Sequence, residues 1–124
     1  MPVIRTADAV VHAAHGATFT SYAAPALGTR ELCVWRLDVP AGTTGQPHTV
    51  TREEVLVIAA GTRPVTLDGH SSTAAGGDAV VVPAGTTLRV DNTGPHPASA
   101  WVSTTAGLEA VMPDGARFAP PWVR

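Results

Sequence analysis

The sequence predicts an all-β domain, and three observations carry that prediction. Short runs rich in Val, Thr and Leu recur at residues 31–39, 54–59, 64–67, 79–82, 87–90 and 98–104, each closed by turn residues. That spacing suits a sandwich or barrel. The 12 glycines and 11 prolines are scattered so that few windows could hold a helix of ordinary length. Apolar residues make up 44% of the 124, enough to build one core, and the length predicts a single domain over 1–124.

Taken in order, residues 8–14 read as a short helix or irregular arm, and 18–22 alternate like a strand. Residues 31–39 place Arg36 and Asp38 on one face, opposite Trp35 and Leu37. Arg36 reads either as the ion-pair partner of Asp38 or as a contact for an anionic ligand. Pro40-Ala41-Gly42 and Pro83-Ala84-Gly85 break apolar stretches where a barrel turns a corner. Asp68-Gly69 supplies the positive φ values of a tight hairpin. Trp35 and Trp101 lie within strand-like runs and read as core, Trp101 also as a cavity wall able to stack on a ligand ring. Residues 113–124 hold three prolines and Trp122 and predict an irregular tail packed over the barrel, since proline cannot join a central ladder.

Composition narrows the function. The net charge of −2 offers no basic excess for nucleic acid. Every basic residue is Arg, so Schiff-base and P-loop lysine chemistry are excluded. Cys33 is the only cysteine and sits in an apolar run, which predicts a buried, inert thiol and no intrachain disulfide. The N-terminus lacks a continuous apolar core of the signal-peptide kind, and no stretch approaches the ~20 apolar residues of a membrane helix. A cytoplasmic protein without membrane contact is the expectation.

Two stretches carry more specific information. Residues 42–61 read GTTGQPHTVTREEVLVIAAG, with Gly42, His48, Glu54 and Gly61 at intervals of six, six and seven. Residues 77–92 read GDAVVVPAGTTLRVDN, with Gly77, Pro83, Gly85 and Asn92 at intervals of six, two and seven. This paired pattern resembles the two motifs of the cupin superfamily. The resemblance implies a double-stranded β-helix, or jelly-roll barrel, with its core at about 28–112 between an irregular N-terminal arm and a Pro-rich tail.

In cupin motifs the first stretch carries two His one residue apart and then a Glu, and the second carries a further His. On strands such residues share parity and face the lumen, where they form a four-ligand N/O metal site. This chain keeps His48 and Glu54 but has Val50 and Leu88 at the other two positions. Neither Val nor Leu can coordinate, so the expectation is no metal and no cofactor. His12, His15, His70 and His96 lie outside the pattern.

The function expected is a metal-free barrel that binds a small molecule, with His48, Val50, Glu54, Leu88, Arg36 and Trp101 as candidates for its lumen. The alternative is a cupin enzyme using His48 and Glu54, of isomerase, cyclase or lyase type or a weakly metal-dependent oxygenase. A third possibility is an interaction module with a filled lumen. A homodimer is also expected, because the Val55/Val57 face and the arm before Gly16 offer apolar surface to cover.

Overall fold

The computed structural model describes residues 3–124. Twelve strands are defined: β1 Val10–Ala14, β2 Ala17–Ala23, β3 Leu32–Val39, β4 His48–Val50, β5 Glu54–Ala60, β6 Thr62–Leu67, β7 His70–Ala75, β8 Ala79–Val82, β9 Thr87–Val90, β10 Ala98–Thr105, β11 Ala110–Val111 and β12 Arg117–Phe118. They form two six-stranded sheets in the orders β1-β2-β3-β10-β5-β8 and β12-β11-β4-β9-β6-β7. Every pairing is antiparallel. The fold is a jelly-roll β-barrel, as the sequence predicts.

Alternation sets what faces inward. On β3, Cys33, Trp35, Leu37 and Val39 are buried, while Arg36 stays exposed. On β10, Ala98, Ala100, Val102 and Thr104 point in, and on β5 Glu54, Leu56 and Ile58 do the same. These inward rows meet Val65 and Leu88 of the other sheet in one continuous core. Cys33 is fully buried, its Sγ lies 3.7 Å from the carbonyl oxygen of Val123, and burial pushes the thiol up, which keeps it in the unreactive form.

Turn chemistry follows the sequence closely. Asp68 and Gly69 both adopt positive φ, 49° and 82°, as a two-residue hairpin between β6 and β7 requires. Gly85 takes φ 84°, and its N–H donates to the carbonyl of Val50, so the corner after Pro83 ties the two motif stretches together.

The N-terminal segment departs from expectation. Instead of a helix or irregular arm, one 3-10 turn at Thr6–Asp8 leads into β1, which pairs with β2 along its whole length. β2 then pairs with β3. Val10 and Val11 favour extended backbone, and the open edge of β2 offers 10–14 ladder partners that a lone helix would lack. The tail is also more ordered than expected. It contains β12 and a 3-10 turn at Pro121–Val123 that buries Trp122 and Val123.

Gly45 makes the tightest approach in the fold. A Cβ there would overlap the carbonyl oxygen of Val90, and the Gly45 N–H donates to the Asp91 carboxylate at 2.8 Å. Because the obstacle is backbone, relief requires moving β9. Gly45→Ala is expected to cost about 2–3 kcal/mol. A urea midpoint within experimental error of the parent would show that the loop relaxes freely.

Candidate functional site

Between the sheets lies a lumen of about 110 Å³. For scale, an apolar cavity of ~150 Å³ accepts benzene. The wall is mostly apolar and aromatic, with Phe19, Trp35, Leu56, Leu88, Met112 and Trp122 prominent, and His48 and Glu54 on it. Their placement follows from register. His48 on β4 is the cross-strand partner of Leu88 on β9, which in turn pairs with Leu67 on β6. Glu54 opens β5 on the facing sheet, beside Thr104 of β10 and Val82 of β8.

Glu54 is buried, and burial is the one influence that shifts its carboxyl group. Loss of hydration disfavours its charged form and pushes its pKa up to about 7. His48 shifts the opposite way. Burial lowers its pKa, the hydrogen bond to Gln46 works against that, and nearby His15 adds to the lowering. The ring is therefore mainly neutral at pH 7. Nδ1–H donates to the carbonyl oxygen of Gln46 at 3.1 Å, so Nε2 carries the free lone pair. The lumen thus joins a carboxyl that can hold a proton near neutrality to an imidazole that can accept one.

Of the six lumen candidates, His48, Glu54 and Leu88 line the cavity. Val50 is fully buried in the adjoining core but is not on the cavity wall. Arg36 and Trp101 are placed elsewhere, on the outer face of the larger sheet. Arg36 Nε donates to both carboxylate oxygens of Asp38 at 3.1 and 3.2 Å, which satisfies it locally. Trp101 is 37% exposed and leans on Tyr22, with ring centroids 5.3 Å apart. The cause is parity: Trp101 is the direct cross-strand partner of Arg36, so both leave the lumen together.

Sequence reasoning missed His15, Phe19 and Trp122, all of which line the lumen. Phe19 and Trp122 stack with centroids 3.7 Å apart and planes 6° from parallel. Strand alternation in 17–23 could have marked Phe19 as inward. Trp122 carries no local signal, since its place is set by a contact across about 100 residues of chain.

The donor set does not suit the metal site that cupin motifs imply. The facing position across from His48 is Leu88, and no group of three or more His, Cys, Asp or Glu among the described residues could hold a metal ion. His48 and Glu54 fill two of the four motif positions, and Val50 and Leu88 at the other two leave the set short of the four N/O donors that such a site uses.

A sequence profile of the cupin domain matches residues 35–104, more than half of the chain. The chain is a cupin. No curated protein sequence matches it significantly, but its fold aligns with many solved cupins. The polyketide cyclase RemF from Streptomyces resistomycificus superposes with a TM-score of 0.75 at 14% identity, over 85% of this chain and 79% of that one. A predicted oxalate decarboxylase from Thermotoga maritima gives 0.72 at 15% identity, over 83% and 97%. Streptomyces PAC13, solved with uridine, gives 0.68 at 16% identity, over 83% and 79%. At these identities the likeness establishes the cupin's fold, and its activity has to be argued from the lumen.

Proposed function

We propose that this cupin binds a small, largely apolar molecule of about one ring in its lumen, without a metal, and that His48 and Glu54 orient the molecule's polar atom. The observation that carries this reading is the pairing of an aromatic-lined cavity with the titratable side chains of His48 and Glu54 on its wall. A pocket of this composition provides apolar contact area together with a few directed polar groups, the usual anatomy of a small-molecule site. The ligand's polar atom would be an oxygen able to accept a proton from Glu54 or donate one to His48 Nε2.

A second reading is favoured by the tautomer of His48 and the raised pKa of Glu54. An acid and a base on one small cavity suit proton transfer within the bound molecule, as in isomerase, cyclase or lyase chemistry. RemF is a cyclase on the same barrel, which is consistent with this reading.

The test uses phenol as the probe and the fluorescence of the lumen tryptophans as the signal. Phenol is expected to quench the parent saturably, and Leu88→Trp, which fills the space beside His48, is expected to weaken binding at least tenfold. Equal affinity in the two proteins would place the site outside the lumen. Native mass spectrometry of the same samples would also report assembly. The homodimer remains our proposal, supported by the exposed Val57, Val81 and Trp101 on the outer sheet face.

A further inference from the structure

The lumen has a mouth, and His15 stands in it. Three residues of the lumen wall are also exposed, His15, Gln46 and Phe118, and they mark where it opens. His15 reaches this place through a tight turn. Ala14 of β1 pairs with Ala17 of β2, so His15 and Gly16 form the whole connection between the strands. Both take positive φ, 52° and 77°, as a two-residue hairpin turn requires. The hairpin between β6 and β7 fills the same turn with the ordinary pair, Asp68-Gly69. His is a less usual first residue there, and such strained choices accompany side chains with a task. The turn also packs on the loop after β3, where an added Cβ at Gly16 would lie 3.7 Å from Thr43 Cγ2.

Among the described residues, His15, His48 and Glu54 are the titratable side chains on the lumen wall. The charge of His15 bears on His48 and lowers its pKa, whereas burial alone shifts Glu54. The polar groups therefore fall into two sets, the two imidazoles toward the mouth and the carboxyl buried among apolar side chains. Like charges on neighbouring imidazoles oppose each other, and an anion beside both reverses that effect. The wall holds no Arg that could pair with a dianion such as phosphate, so the electrostatics suit a single negative charge.

We infer that the lumen takes a single-ring carboxylate, with the ring among the aromatic side chains and the carboxylate in the mouth beside His15 and His48. This rests on the reading of the lumen as a binding site and names the class of molecule it admits. A lumen of about 110 Å³ holds one ring and little more, so a charged substituent finds room only toward the opening. There the carboxylate keeps part of its hydration, and an imidazole N–H of His15 can donate to it. The same anion favours a proton, taken from solvent, on Nε2 of His48, which turns a lone pair into a second donor.

The experiment is isothermal titration calorimetry at pH 6 with benzoate, benzamide and phenol as probes. At that pH Glu54, its pKa pushed up to about 7, is mainly protonated and adds little opposing charge. The parent is expected to bind benzoate about tenfold more tightly than benzamide, which has nearly the same shape without the charge. His15→Asn suits the positive φ of the turn and is expected to bring the two affinities within about twofold. A parent that binds phenol but shows no preference for benzoate overturns this inference and leaves the binding reading standing. A His15→Asn variant that keeps the preference also overturns it, and a parent that binds none of the probes overturns both readings. Should the variant fail to fold, the parent's preference between benzoate and benzamide decides.

Discussion

Trp122→Ala is expected to cost about 3–5 kcal/mol, the usual range for deleting a buried aromatic. Its ring lies flat on Phe19, tilts against Trp35 at 6.5 Å and against His12 at 6.2 Å. The carbonyl of Trp122 accepts from Ser21 Oγ, and the carbonyl of Arg124 accepts from the Ala26 N–H, so the tail is hooked to β2 at the ring and to the turn at Pro25–Leu27 just beyond it. These hooks are individually modest, about 1 kcal/mol each, and without the ring they would have to hold a proline-rich segment alone. Removing the ring therefore enlarges the lumen and frees the tail together. Urea unfolding checks the cost, and Trp122→Phe should recover roughly half of it by keeping part of the stack. A loss under 1 kcal/mol for the alanine variant would mean that the tail contributes little to closing the barrel.

What the sequence revealed and concealed divides along physical lines. Short apolar, β-branched runs closed by turn residues were legible, because local sterics and burial fix them. β8 and β9 match their predicted bounds, and β5 and β10 extend only one residue further. β7 was hidden because HSSTAA is mostly polar and lies at the edge of its sheet, where only Ala74 needs to be buried. β11 and β12 are two residues each and exist only through pairing.

For the site, motif spacing located His48, Glu54 and Leu88, since strand parity and a shared lumen follow from the fold. Arg36 and Trp101 failed for a reason available in the sequence: Arg36 shares parity with Asp38 and opposes the apolar Trp35 and Leu37, which already points it outward. Trp101 needed the register of β10 against β3, which no single stretch of sequence encodes. The full burial of Arg63 was likewise invisible, because burial of an arginine depends on tertiary packing that no local pattern encodes.

Glu54→Gln is expected to make the protein more stable at pH 8, by about 3 kcal/mol, and to leave it nearly unchanged at pH 4.5. The parent's Glu54 has a folded pKa of about 7 against an unfolded value near 4.5. Between these values the folded state binds more protons than the unfolded one, so stability falls as pH rises through the window. The contribution is whole below about 4.5 and lost above 7, where a bare carboxylate is held in an apolar wall. Glutamine resembles the protonated acid and escapes that loss. His48 acts in the opposite sense: its folded pKa is depressed, so its contribution is present above 6.5 and lost as pH falls through the folded value. Below pH 6.5 the two contributions therefore run in opposite directions and flatten the parent's profile, above 6.5 only the Glu54 loss remains, and Glu54→Gln should show only the His48 fall on the acid side. Urea unfolding from pH 4.5 to 8.5 separates the two. A variant whose profile parallels the parent's throughout would mean that Glu54 is hydrated and ordinary. In that case the lumen would have lost its acid, and the proton-transfer reading would fall while simple binding could stand.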